Sequence, residues 1–93
     1  MTYPALRELM FNFLHQDLDL VGTIDDNVDA FMRDFPDLAP QLPAEVDDLS
    51  AACADDAGIR DTVVALGCQL RPTEGTYRAW LQQIADRVRA ATA

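Results

Sequence analysis

The chain has 93 residues, 49% of them hydrophobic, with seven arginines, no lysine and a net charge of −9. That length carries one domain with material for a core, and no apolar run approaches the roughly 18 residues of a membrane span. So negative a chain is repelled by nucleic acid and by anionic membranes, which excludes both as direct partners and suits a basic one.

Pro4 fits the first turn of a helix, where its missing N–H costs nothing. Leu6, Leu9, Met10, Phe13 and Leu14 recur on one face, predicting a helix from Pro4 to His15. Phe11 lies off that face, either as a second packing surface or as an exposed aromatic at a binding surface. Between Gln16 and Gly22 the pattern breaks. Leu18, Leu20 and Val21 are interleaved with Asp17 and Asp19, as in a loop that folds its apolar residues inward and leaves its acids in water. Thr23 is a natural N-cap, with Asp26 completing a weak capping box and Asp25 and Asp26 favouring the positive end of the helix dipole. A second helix is predicted from Ile24 to Asp34, with Ile24, Val28, Phe31, Met32 and Phe35 as its face. Phe35-Pro36-Asp37 ends it, because a residue before proline avoids the helical region.

Leu38, Leu42, Val46, Leu49 and Cys53 form a third face, interrupted early by Pro40 and Pro43. The helix is expected over Pro43 to Ala54, after a short turn. Asp55 and Asp56 read as the cap and first turn of a fourth helix, with Ile59, Val63 and Leu66 inward and Gly67 ending it in a left-handed conformation. A loop follows over Cys68 to Gly75. Thr76 caps a fifth helix, whose Tyr77, Trp80, Leu81, Ile84 and Val88 make the strongest amphipathic pattern in the chain. Arg87 and Arg89 complement its C-terminal dipole, and the final Ala-Ala-Thr-Ala is expected to fray. No segment alternates as a solvated strand does. The expected fold is all-α, a bundle of five helices in one orthogonal layer, with residues 1–93 as a single domain.

Motifs for catalysis are missing. There is no phosphate-binding loop, no dinucleotide fingerprint and no lysine for a Schiff base. The lone His15 has no Ser or Cys near it in sequence and reads as a helix-end cap or hydrogen-bonded hinge. Asp17 to Val28 imitates a calcium loop at its first, third, sixth and ninth positions. Val21 and Val28, however, occupy places that need oxygen ligands. Cys53 and Cys68 are expected as free thiols, buried or half-buried, and one distant histidine cannot complete a zinc site with them. Neither an enzyme nor a cofactor is expected.

The charge is uneven. From Asp17 to Asp56 there are twelve acids, including Glu45, and one base, Arg33, whereas the flanking segments are nearly balanced. An acidic stretch of this density, without catalytic groups, suggests a binder of a basic protein, with complementary fields raising the association rate. The carboxylates expected to face the partner are Asp17, Asp19, Asp25, Asp26, Asp29, Asp47 and Asp48, with His15 and Gln16 orienting the loop.

Tyr3-Pro4-Ala5-Leu6, Phe13-Leu14-His15-Gln16-Asp17, Ala30-Phe31, Leu66-Gly67-Cys68 with Pro72, and Tyr77-Arg78-Ala79-Trp80-Leu81 together resemble the immunity proteins of bacterial contact-dependent growth inhibition systems. The resemblance covers nearly the whole chain in order and spacing. It departs at Leu18, where tryptophan would be expected. It implies a small cytoplasmic antidote that binds a cognate toxin C-terminal domain, a basic nuclease, and blocks it by occlusion or exosite binding. The alternative from another class is an acidic helical adaptor or regulator of some other basic protein, as a monomer or homodimer. The start of the chain, Met1-Thr2-Tyr3-Pro4, has neither a basic nor an apolar leader pattern, which agrees with a cytoplasmic expectation.

Overall fold

The computed structural model describes residues 3–14, 24–68 and 75–92. Five α-helices follow one another: α1 (Pro4–Asn12), α2 (Ile24–Asp34), α3 (Leu42–Ala52), α4 (Asp56–Ala65) and α5 (Tyr77–Thr92), with a 3-10 turn at Ala39–Gln41 leading into α3. The described residues contain no strand. The all-α, five-helix expectation therefore holds.

The boundaries follow local chemistry, with three corrections. α1 stops at Asn12, short of His15, because Phe13 leaves the helical region and both Phe13 and Leu14 donate their N–H groups to the Leu9 carbonyl. Two successive donors on one acceptor close the helix, while Leu14 still turns into the core. α3 begins at Leu42 and ends at Ala52, because Cys53 is extended and hands the chain to Asp55, the cap of α4. α5 runs through Thr92, which expectation had fraying; the Thr92 hydroxyl donates back to the Val88 carbonyl one turn earlier. α2 spans Ile24–Asp34, the range expected, with Asp25 and Asp26 in its first turn. Its proposed cap, Thr23, lies outside the described residues.

α4 ends in a Schellman motif. Gly67 N–H donates to Val64 and Cys68 N–H to Val63, with Gly67 at φ +111°. Cys68 and Val63 are both buried, which supplies the apolar contact typical of that cap. At the other end Asp55 accepts from Gly58 N–H at 3.0 Å.

α5 is the central element, packing on α3, α2, α4 and the 3-10 turn. Trp80, Leu81, Ile84, Ala85 and Val88 form its buried stripe. They join Leu6, Leu9 and Met10 of α1, Val28 and Phe31 of α2, Leu42, Val46 and Leu49 of α3, and Ile59 and Val63 of α4 in one core. Phe13 and Tyr77, expected inside, are only half-buried at its edge. Phe13 meets Phe31 and Phe35 at centroid distances of 5.8 and 6.0 Å, and Tyr77 meets Trp80 edge-on at 6.1 Å.

Polar side chains staple the helices across this core. Glu45 of α3, 8% exposed, accepts from the N–H groups of Ala5 and Leu6, both at 3.0 Å. It caps α1, which has no side-chain cap of its own. Asp56 of α4 does the same for α5, accepting from Tyr77 and Arg78 N–H at 3.1 and 2.9 Å. Arg78 in turn donates to the carbonyls of Ser50 and Cys53, both at 2.8 Å, closing the C-terminus of α3. Helix dipoles are thus met by charges of the right sign from neighbouring elements.

Candidate functional site

Three of the acids in the dense central stretch are therefore occupied with architecture: Glu45, Asp55 and Asp56 each cap a helix. The surface carboxylates are the ones to consider for a partner.

Asp25 and Asp29 stand one turn apart on α2, exposed, and face Arg87 of α5. Arg87 grips Asp29 in a bidentate pair, Nε to Oδ1 at 2.9 Å and Nη2 to Oδ2 at 2.8 Å. Its Nη1 lies 3.6 Å from Asp25 Oδ2. Two residues further along α5, Arg89 points to the other neighbour, as a spacing of two on a helix requires. Its Nη1 meets Asp86 at 2.9 Å and its Nη2 meets Asp47 of α3 at 3.5 Å. The hydrogen bond from Arg87, with its charge, holds the Asp29 carboxyl below the ordinary carboxylate range against a smaller desolvation effect in the other direction. The same bond raises Arg87.

Of the residues singled out in the sequence, Asp25, Asp26 and Asp29 share the N-terminal part of α2, all exposed, and Asp47 and Asp48 sit side by side on the exposed side of α3. Arg87 pairs with the first group and Arg89 with Asp47 of the second. Asp17, Asp19, His15 and Gln16 lie outside the described residues. Local reading missed the role of Arg87. It treats the residue as a complement to its own helix's dipole, whereas the side chain reaches α2, 58 positions back in the chain. The charge segregation seen along the sequence is thereby reduced in space. The one available signal was the excess of arginine in α5 beside the arginine-poor acidic stretch.

A second surface feature is apolar. Phe11 is 61% exposed and Val64 54% exposed. The Phe11 alternative resolves toward exposure, although one edge of the ring rests on Gly67. A Cβ added there would lie 3.1 Å from Phe11 Cδ2 and would push the ring back by a few tenths of an ångström. Beside Phe11 is a cleft of about 480 Å³ lined by Tyr3, Arg7, Asn12 and Leu38 among others.

Among the described residues no three His, Cys, Asp or Glu side chains gather to hold a metal, and no helix is long and apolar enough to cross a membrane. Cys53 is half-buried and Cys68 buried, and neither is in a disulfide.

The described residues form a small, all-helical fold in which Glu45, Asp55 and Asp56 cap helices and Asp25, Asp29 and Asp47 stand exposed in ion pairs with α5. Residues 2–88 match the model of the CdiI immunity protein family, and the chain belongs to that family. No curated protein and no solved structure matches it.

Proposed function

We propose that this chain is the antidote of a contact-dependent growth inhibition system, acting in the cytoplasm by binding a cognate toxin C-terminal domain. Membership of the CdiI immunity protein family is the observation that carries the reading. The exposed carboxylates support it. Asp25, Asp26 and Asp29 on α2, with Asp47 and Asp48 on α3, are the toxin-facing acids, extended by Asp17 and Asp19 in a segment oriented by His15 and Gln16. The toxin domain is basic, a nuclease whose substrate cleft attracts phosphate, and the antidote presents carboxylates in place of phosphates. Inhibition is stoichiometric occlusion. The chain performs no chemistry of its own.

The test is to purify the toxin domain encoded beside this gene, titrate it with the chain, and follow cleavage of nucleic acid together with complex mass by light scattering. Loss of cleavage that is complete at one equivalent, with a stable complex, is the expected result. A toxin domain that remains active under a large excess of the chain overturns the reading.

A further inference from the structure

The two large apolar side chains exposed among the described residues, Phe11 of α1 and Val64 of α4, stand at the same turn. The Phe11 ring rests against Gly67, and Gly67 donates its N–H to the Val64 carbonyl at 3.0 Å. Their surroundings are balanced in charge, in a chain whose net charge is −9. Arg7 lies one turn before Phe11 on α1 with Glu8 beside it, and both line the cleft of about 480 Å³ that opens next to Phe11. Arg60 lies one turn before Val64 on α4 and pairs with Asp61 at 3.1 Å. Arg60 and Asp61 neutralise each other, whereas Arg7 and Glu8 are left over. Glu8 accepts from the neutral Asn12 amide at 2.7 Å, and among the described residues neither Arg7 nor Glu8 is in an ion pair.

We infer that this face binds a second copy of the chain across a two-fold axis, with Phe11 and Val64 of both copies at its centre and Arg7 of each copy opposite Glu8 of the other. Charge selects the occupant. Copies of net charge −9 repel one another through the acids of α2 and α3, so they meet where like charges are not brought face to face. A cation and an anion side by side are self-complementary under two-fold rotation, because each is carried onto the partner of the other. A uniformly basic or uniformly acidic partner would set one of the two against its own sign. The contact also removes two exposed apolar side chains per copy from water. It uses α1 and α4, not the α2 and α3 carboxylates assigned to the toxin, and does not depend on that reading.

Sedimentation equilibrium of the full-length chain over a range of concentrations tests this, for wild type, Phe11→Ser, Val64→Gln, Arg7→Glu and the charge swap Arg7→Glu/Glu8→Arg. Circular dichroism checks that each variant is folded; Val64→Gln changes an exposed helical position and keeps the test valid if Phe11→Ser does not fold. Wild type should pass from 10.3 kDa to twice that mass as concentration rises. Phe11→Ser, Val64→Gln and Arg7→Glu should each weaken dimerisation on the order of tenfold or more, since every change counts twice in a two-fold contact. The swap restores both cross-pairs at the original net charge and should recover most of what Arg7→Glu loses. A monomer at every concentration, a dimer unchanged in folded Val64→Gln, or a swap no better than Arg7→Glu each overturns the inference.

Discussion

Replacing Glu45 with alanine should be among the most destabilising single changes in this protein. The carboxylate is buried and accepts from two backbone donors, Ala5 and Leu6 N–H, which belong to fully buried residues at the start of α1. Each donor left without a partner costs about 1–3 kcal/mol, partly relieved where water can enter. The loss of a negative charge at a helix N-terminus adds about 0.3–1 kcal/mol. A total of roughly 2–5 kcal/mol would be a large part of the ~5–10 kcal/mol expected for a domain of this size. The matching fall in Tm is on the order of 10–30 °C, at about 4–8 °C per kcal/mol. Urea and thermal unfolding followed by circular dichroism would measure it. Glu45→Gln keeps one carbonyl acceptor and the shape, so it should lose about half as much. A fall in Tm of less than about 5 °C for Glu45→Ala would refute the reasoning and mean that α1 needs no cap from α3.

Three further outcomes follow from the same geometry. Gly67→Ala places a Cβ at φ +111° and 3.3 Å from the Phe11 Cα, and should cost about 1–3 kcal/mol in urea unfolding; an unchanged midpoint would show that the turn relaxes freely. Arg78→Met keeps the apolar stem but removes both donors to α3, and should cost about 1.5–3 kcal/mol in the same assay, with near-wild-type stability counting against the clamp. Because Asp29 titrates below its ordinary value when folded, its ion pair contributes stability above the ordinary carboxylate pKa. That contribution is lost as pH falls through the depressed value. An NMR titration of its carboxyl carbon should show the midpoint returning toward the ordinary range in Arg87→Gln, and an identical midpoint in both proteins would remove Arg87 as the cause.

Helix identities were legible where the signal is local. Asp25 and Asp26 before an amphipathic run, and Phe35 before Pro36, bracket α2 at the observed residues, and Gly67 marks the end of α4 because only it adopts positive φ without strain. The end of α1 was not legible, since Phe13 and Leu14 continue the apolar face even though the backbone turns away at Asn12. Periodicity reports which side chains go inward, which holds for both residues; it does not report the backbone turn. The stapling residues were also hidden. Glu45, Asp56 and Arg78 act on partners 21 to 40 positions distant, and nothing in their own neighbourhood distinguishes a buried cap from a solvated charge. For the same reason the acidic stretch looked uniform, although three of its members cap helices and Asp25, Asp29 and Asp47 share arginines from α5.

The proposed function has exposed carboxylates on α2 and α3 steering this chain to a basic toxin domain. Its most direct test is the stopped-flow association rate with that domain from low to high salt, for wild type and for Asp26→Lys/Asp48→Lys, a pair outside the hydrogen bonds that hold Arg87 and Arg89. The wild-type rate should fall by about tenfold or more as the Debye length shrinks. The variant should start slower and meet the wild type at high salt. Equal rates for the two proteins, insensitive to salt, would contradict the claim.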